Sequence, residues 1–468
     1  MTKKNYWLFI ICVCVTLLWL LTHNSRQLLE ASLQTEVMLN SQDRILILAP
    51  HPDDEVLGCG GIIQQALELN IPIRIVFLTY GDNNQWSFLV YRKHPVLMPK
   101  AVQSMGLVRY NEALEAAKAL GVSAEQLTFL GYPDFRTADI WYSHWGNQPP
   151  AKSMLTEVKA VPYANAFRPG APYKGEEILQ DLKTVLREFK PTKIFLSHPA
   201  DHNSDHRSLY LFTRVALWDL GNELKPVLYP YMIHYKYWPM PRGYHPDRQI
   251  IPPDIFKKDV SWQIYNLGIK EIGRKLSAIK QHRSQYDSSA KYLLSFIRSN
   301  ELFGDFPAVN LRPNVSKTFI LAERKGDLRN IPEELIDEER AAFVGIEERS
   351  IFLENDNFVI SIKLSRPLAE TVGVSMYVFG YRDDCSFGEM PKIHIKFGAL
   401  EHSIYDQNNK LALNNIEVER KAKEITIRIP LALLRNPQHI LTSANTYIGT
   451  VPLDYTSWRT VEILNRGQ

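Results

Sequence analysis

The stretch LAPHPDDEVLGCGG, residues 48 to 61, decides the fold and locates the candidate site. It follows the apolar run 45–48, which is typical of a buried strand, and it leads into a glycine-rich segment with a helix-like pattern. One histidine and three consecutive acids lie at the junction: His51, Asp53, Asp54 and Glu55. Because adjacent carboxylates repel one another and are costly to bury, we expect a positively charged ligand at this junction.

The length and composition are those of an ordinary globular protein. The 468 residues are too many for one typical domain, and they predict two or three. The formal net charge is only +3 and there is no long basic run, so nothing indicates nucleic acid as a partner. Four cysteines, two of them in the N-terminal apolar segment, do not make a disulfide framework.

The N-terminus has the pattern of a membrane signal anchor. Lys3 and Lys4 precede an uncharged apolar run over residues 6–22, and roughly 20 such residues span a bilayer. A cleaved signal peptide is the alternative, although no small-residue cleavage site follows the run. We therefore expect a transmembrane anchor at 1–24 and a stalk at 25–42. The rest of the chain would face the periplasm or the cell exterior, or the lumen in a eukaryote.

Strands and helices alternate from residue 43 onward. The predicted strands are apolar runs at 44–49, 71–80, 126–131, 192–197 and 226–235. The predicted helices lie at 58–69, 105–122, 176–189 and 205–219. This alternation predicts an α/β fold with a mostly parallel, Rossmann-like, doubly wound sheet. Since ligands bind at the carboxyl ends of such strands, we expect the opening stretch and SHPADHNSDH, residues 197–206, to form one site.

The chain after about residue 340 has the pattern of an all-β unit. In ITIRIPLALL, residues 425–434, the isoleucines face one way while Thr426 and Arg428 face the other. We expect a β-sandwich over 343–468, joined by a charged linker at 326–342 to an α/β domain at 43–325.

The acids and histidines at the two strand ends are suited to a metal ion. Catalytic zinc sites take three protein ligands, often histidine and carboxylate, and leave a position for water. His51 and Asp54 are three residues apart on a strand-to-helix turn and can reach one ion. The third ligand must come from the second cluster, which contains His198, Asp201, His202, Asp205 and His206. Asp53, beside a ligand, is placed to take a proton from metal-bound water.

At these residues the sequence resembles the LmbE/PIG-L family of metal-dependent N-acetylglucosamine deacetylases. The family hallmark is a strand followed by AHPDDE and glycines, and the matching residues are 50–55 with Gly58, Gly60 and Gly61. The resemblance covers roughly residues 43–325. It also includes Arg109-x-x-Glu112 and the run LGYPD, which ends in Asp134.

The resemblance implies a role for each residue of the motifs. His51, Asp54 and His206 would bind Zn²⁺, or another divalent metal, and Asp53 would be the general base. Asp205 matches the aspartate of the family's H-x-D-H motif. The remaining residues would contact the substrate or support the ligands: Glu55, Arg109, Asp134 and Asp205.

The chain departs from the family pattern at Asn203, where the first histidine of the H-x-D-H motif is expected. In the family that histidine is thought to stabilise the developing oxyanion or to assist proton transfer. Either His202, one residue earlier, replaces it, or Asn203 itself donates to the oxyanion. Loss of activity is the third alternative.

The C-terminal unit is similar to carbohydrate-binding sandwiches of the family 9 and DOMON type. The similarity rests on the strand ending in Ile429-Pro430 and on Trp458-Arg459 before the last strand. It implies a module that holds a glycan near the α/β domain. A sandwich that only packs against the enzyme or a partner is the alternative.

Together these patterns predict a membrane-anchored, zinc-dependent hydrolase that removes N-acetyl groups from N-acetylhexosamine residues of a polysaccharide or glycoconjugate. Hydrolysis of another N-acyl or amide substrate is the first alternative, and a non-catalytic glycan-binding protein is the second. We expect no nucleotide cofactor, because G-C-G-G lacks the spacing of a dinucleotide fingerprint.

Overall fold

The structure is a computed structural model that describes most of the chain. The described residues are 35–84, 90, 98–313, 317–322, 336–412, 415–449 and 451–464. They form an α/β part followed by an all-β part, as the sequence predicted.

A five-stranded parallel sheet forms the centre of the α/β part. The strands of this part are β1 (Thr35–Glu36), β2 (Ile45–Ala49), β3 (Ile73–Thr79), β4 (Leu127–Tyr132), β5 (Lys193–Ser197), β6 (Val227–Tyr231), β7 (Gln263–Asn266) and β8 (Asn300–Phe303). The central sheet has the order β4-β3-β2-β5-β6, and every pairing in it is parallel. The order reverses between β2 and β5, and α/β sheets hold their ligands at such a reversal.

Helices connect the strands and pack in two groups. They are α1 (Asp54–Glu68), α2 (Pro99–Leu120), α3 (Thr137–Ser143), α4 (Gly175–Phe189), α5 (Ser204–Leu220), α6 (Ile269–Ile279) and α7 (Arg283–Leu293). Helices α1, α2 and α6 contact one another, and α5 contacts both α3 and α4. This grouping agrees with the doubly wound arrangement that the sequence predicted.

The glycines of the opening stretch lie inside α1, which begins at Asp54 and not at residue 58. A Cβ atom on Gly58 would lie 2.7 Å from the ring of Tyr231 in β6. A Cβ atom on Gly61 would lie 2.0 Å from the Leu267 side chain. The glycines therefore let α1 approach its neighbours closely, rather than opening the helix as the sequence suggested.

The all-β part consists of two mainly antiparallel sheets with one apolar core. Its elements are β9 (Val309–Leu311), β10 (Phe319–Ala322), α8 (Asp337–Ala342), β11 (Ile346–Glu354), β12 (Asn357–Leu364), β13 (Val372–Tyr381), β14 (Lys392–Phe397), β15 (His402–Asp406), β16 (Asn409–Leu411), β17 (Glu417–Lys421), β18 (Glu424–Pro430), β19 (His439–Ile448), β20 (Val451–Tyr455) and β21 (Arg459–Ile463). One sheet has the order β10-β11-β12-β18-β17, and the other has β16-β15-β14-β13-β19-β21-β9 with β20 beside β19. Ile360 of the first sheet and Met376 of the second belong to the same core.

Strands β9 and β10 pair with the C-terminal sheets although they precede the predicted linker. Strand β9 lies parallel to β21, and β10 lies antiparallel to β11. We propose that the C-terminal unit begins near residue 309. The boundaries at 325 and 343 stay predictions.

The aromatic segment 134–175 joins the two parts. Trp141 and Trp145 are buried, and their rings lie 5.3 and 5.0 Å from the ring of Phe387 in the C-terminal part. The ring of Trp458 lies 6.2 Å from that of Trp141, and its backbone N–H donates to the carbonyl oxygen of Pro199 at 3.3 Å. The C-terminal part therefore contacts the loop between β5 and α5.

The prediction of a transmembrane anchor is corrected by the structure. Within the described part of the chain, no helix combines the length and the apolar character that crossing a bilayer requires. Helix α2 has 22 residues, but charged side chains such as Arg109 and Glu112 interrupt its apolar surface. Residues 1–34, which include the predicted anchor, lie outside the described residues. The extracytoplasmic location, which depended on the anchor, is no longer supported.

Candidate metal centre

Three potential ligands converge where β2 and β5 end. His51 follows β2, Asp54 begins α1, and His206 lies in the first turn of α5. His51 Nδ1 and His206 Nε2 each lie 3.1 Å from Asp54 Oδ2. All three side chains are buried, and their ligand atoms lie within 4.8 Å of one another. The structure thus brings together the ligand set that the sequence predicted.

This donor set fits a divalent metal ion. Two imidazoles and a carboxylate are ligands that zinc and related ions use. In the part of the chain that the structure describes, no well-aligned hydrogen bond reaches the buried Nε2 of His206. This Nε2 and Asp54 Oδ2, 3.1 Å apart, are two potential ligand atoms that one ion could bind. His51 lies within reach of the same ion.

Carboxylates surround both imidazoles and shift their pKa values. Burial opposes the charged form of His206, but Asp201 and Asp54 raise its pKa to about 9. Burial also opposes charge on His51, but Asp134, Asp205 and Asp54 raise its pKa well above the usual range. This concentration of negative charge favours a cation, whether protons or a metal ion.

Asp134 and Asp205 lie on the other side of His51. Its Nε2 is 3.1 Å from Asp134 Oδ1 and 3.2 Å from Asp205 Oδ2. These three residues also offer a second cluster of donor atoms. However, Asp205 already accepts the N–H of Phe135 at 2.6 Å and the hydroxyl of Thr137. The two carboxylates are therefore better suited to orient His51, so that its Nδ1 faces Asp54.

Asp201 has the same relation to the second histidine. Its Oδ2 lies 3.3 Å from His206 Nδ1 and accepts the N–H groups of Ile233 and His234, each at 2.9 Å. Sequence reasoning placed Asp201 in the candidate cluster but gave it no role. Asp201 comes four residues after the end of β5, at the edge of the sheet where the end of β6 also lies. This position is the sequence signal that could have shown its role.

Asp53 lies beside the cluster in an unusual backbone conformation. Its φ is 129°, a region that residues other than glycine rarely adopt. Its N–H donates to Glu55 Oε2 at 2.9 Å, and its carboxylate lies 3.5 Å from Arg109 Nη2. Burial raises the pKa of Asp53 to about 7, although Arg109 acts in the opposite direction. A carboxyl group with a pKa near neutrality is suited to accept and return a proton.

Arg109 and Glu55 hold the turn around Asp53. The buried Arg109 guanidinium donates to the carbonyl oxygens of Pro52 at 2.6 Å and Gly81 at 2.9 Å. Glu55 Oε1 lies 3.3 Å from Nε2 of the buried His282. The structure brings both residues to the site, and a direct contact of either with the substrate stays a prediction.

Asn203 and His202 lie in different surroundings. Asn203 is the N-cap of α5, and its Oδ1 accepts the N–H of Asp205 at 2.8 Å. Only its Nδ2 group could therefore donate to a substrate. The His202 ring packs 4.7 Å from that of Tyr235 and lines a small cavity with Tyr455 and Ser457 of the C-terminal part. The choice between His202 and Asn203 stays a prediction.

His234, to which sequence reasoning gave no role, is the histidine that adjoins His206. The two ring centroids are 4.8 Å apart, and His234 Nδ1 lies 3.3 Å from the hydroxyl oxygen of Tyr292. Burial lowers the pKa of His234 to about 4, so its ring is neutral at pH 7. The one sequence signal for this position is that His234 lies near the end of the predicted strand 226–235.

The comparison with known families agrees with this geometry. Residues 46–217 match the PIG-L family, described as GlcNAc-PI de-N-acetylase. The matched residues include β3 to β5, nearly all of β2, and all three clustered ligands. The C-terminal sheets lie outside the matched residues.

Curated relatives of this chain carry related names. The chain is 25% identical over 183 residues to 1D-myo-inositol 2-acetamido-2-deoxy-alpha-D-glucopyranoside deacetylase of Mycobacterium sp. (strain KMS), covering 38% of this chain and 52% of the relative. It is 23% identical over 178 residues to probable N-acetyl-alpha-D-glucosaminyl L-malate deacetylase 2 of Bacillus anthracis, covering 36% of this chain and 71% of the relative. The chain thus spans about half the length of the mycobacterial relative.

Among solved structures, N,N'-diacetylchitobiose deacetylase from Pyrococcus horikoshii is 20% identical to the chain, with a TM-score of 0.34. The alignment covers 57% of this chain and 86% of that one.

Proposed function

We propose that the protein is a metal-dependent hydrolase that removes the acetyl group from an N-acetylhexosamine residue of a glycan or glycoconjugate. The observation that carries this proposal is the buried cluster of His51, Asp54 and His206 with Asp53 beside it. The PIG-L match supports it, and so do the names of the curated relatives, which are deacetylases of N-acetylglucosaminyl compounds.

We propose Zn²⁺ as the metal ion, held by His51, Asp54 and His206. When bound, it would polarise the amide carbonyl group and lower the pKa of a bound water. Asp134, Asp205 and Asp201 would hold the two imidazole rings in the orientation that this ligand set requires.

Asp53 would move the proton in both halves of the reaction. As the water oxygen bonds to the carbonyl carbon, the Asp53 carboxylate takes up a water proton. As the C–N bond breaks, the same carboxyl group returns that proton to the amine nitrogen. The products are acetate and a free amino sugar. Arg109, 3.5 Å from Asp53 Oδ2, would keep the carboxylate in place.

For the C-terminal sheets, glycan binding and simple packing remain the two proposals. The contacts of Trp141 with Phe387 and Trp458 support packing against the α/β part. Glycan binding would have to use a surface other than these buried rings.

Acetate release tests the proposed function directly. The substrates are a panel of N-acetylhexosamine oligomers, small glycosides and non-sugar acetamides, each measured with and without a chelator. We expect chelator-sensitive release from at least one of them. Glycan binding without acetate release would instead favour the non-catalytic alternative, and release from non-sugar amides alone would favour a different amidase.

Two variants separate the proposed roles. Asp53→Asn should keep the metal and lose most activity, whereas His206→Ala should lose both. Metal analysis of the purified proteins checks this pair. Equal metal loss in the two variants would show that the roles are assigned wrongly.

A further inference from the structure

We propose that Phe135 is a stacking surface for a pyranose ring beside the metal centre, so that the substrate is recognised as a sugar and not only as an amide. This inference rests on the proposed function and names the feature of the substrate that the site would read. Phe135 follows β4 and precedes α3.

The position of the Phe135 side chain is the first argument. Its surface is 46% exposed, whereas the neighbouring Trp141 is buried. Its ring centroid lies 6.3 Å from that of the metal-site residue His51, with an angle of 30° between the planes. An exposed aromatic ring therefore adjoins the cluster at which the N-acetyl group would react. Burial of such a ring on ligand binding is favourable.

The backbone of Phe135 is the second argument. Its φ is 58°, in the left-handed region that bulky residues rarely occupy. The N–H of Phe135 donates to Asp205 Oδ2 at 2.6 Å, which holds the residue in this conformation. Both the strained backbone and the exposed apolar ring cost free energy in the unliganded protein. Because strained residues cluster at ligand sites, this combination supports a role of Phe135 in ligand binding.

The surroundings of the ring indicate the class of ligand. Two partly exposed charged side chains, Arg136 and Asp139, lie close to Phe135 in sequence and form an ion pair at 2.7 Å. A long acyl chain would need several apolar side chains here. A pyranose ring has one apolar face, which suits a single aromatic ring, and hydroxyl groups at its edge, which suit polar neighbours.

Substitution by glycine separates binding from folding. Phe135→Gly removes the ring and also relieves the positive φ, so the variant should be at least as stable as the wild type. We expect KM for an N-acetylglucosaminyl oligomer to rise about tenfold, with kcat and metal content unchanged. Phe135→Trp should restore most of the affinity. Val227→Ala is the control. Val227 is 54% exposed and lies at the start of β6, whereas the proposed site lies at the other end of the sheet.

The outcomes distinguish this inference from the proposed function. If the wild type releases no acetate from any substrate in the panel, the proposed function fails and the inference fails with it. If the wild type is active but Phe135→Gly leaves KM unchanged, or loses the metal, only the stacking role is overturned.

Discussion

The carboxylate of Asp201 lies 3.3 Å from Nδ1 of His206 and links this imidazole to the end of β6 through the N–H groups of Ile233 and His234. We expect Asp201→Asn to weaken metal binding by about 10- to 100-fold, because the ring loses the carboxylate that orients it. Competition with a chromogenic chelator measures the affinity. Asp254→Asn, at a side chain that is 93% exposed, is the control and should bind as the wild type does.

The glycines of α1 and α6 should respond in opposite ways to alanine. Gly58→Ala places a methyl group 2.7 Å from the ring of Tyr231, and we expect a loss of about 1–3 kcal/mol in the free energy of unfolding. Gly273→Ala, inside α6, meets no atom within 4 Å and should gain roughly 0.5–1 kcal/mol. Urea denaturation of both variants tests the pair. A stabilised Gly58→Ala would mean that α1 is not held against β6.

Asn203 should have two separable functions, as a helix cap and as a donor to the substrate. Asn203→Ala removes the cap and should cost about 1 kcal/mol of stability, whereas Asn203→Ser keeps an oxygen acceptor for the Asp205 N–H. Because serine lacks the amide Nδ2 group, we expect Asn203→Ser to fold normally and to lose about 100-fold in kcat. Full activity of Asn203→Ser, combined with inactivity of His202→Ala, would assign the role to His202 instead.

The buried Asp82 should make stability depend on pH. Burial, reinforced by Asp134, raises its pKa from 3.8 to about 7, and the carboxyl group accepts the hydroxyl of Tyr163. The folded state therefore binds this proton more tightly than the unfolded state does. Its stabilising effect is complete below pH 3.8 and is lost as the pH rises to 7.

Asp82→Asn removes this titration while keeping an acceptor for Tyr163. We expect the variant to gain stability relative to the wild type as the pH rises from 4 to 7, by on the order of 1–4 kcal/mol, and to hold that gain at higher pH. Thermal unfolding at pH 5 and pH 8 measures the difference. The same difference at both values would show that Asp82 has an ordinary pKa.

The clustering of the proposed ligands and the central sheet could be predicted because their signals are local. Short apolar runs such as 45–49 are typical of buried strands. Parallel strands bring their carboxyl ends to one edge of the sheet. His51 and Asp54 had to lie at that edge, and so did the cluster that contains His206. The structure was needed to show which atoms of these side chains lie next to one another.

What the sequence could not predict depends on contacts between distant segments. The role of Asp201 requires the end of β6, and the proximity of His234 to His206 requires two loops to meet. The packing role of the α1 glycines was not predicted, because nothing local shows that Tyr231 packs against the helix. The membrane prediction relied on the apolar run at 6–22 and the lysines before it, in a segment outside the described residues.

The rings of Trp141 and Trp145, packed against Phe387 and Trp458, also limit how this chain can be divided. A protein shortened to the matched residues 46–217 would lose these contacts and expose both tryptophans to water. An exposed hydrophobic patch of this kind promotes aggregation. A relative that lacks the C-terminal sheets would need polar residues at the positions of Trp141 and Trp145. Gain or loss of the all-β part in evolution would therefore require substitutions in the α/β part as well.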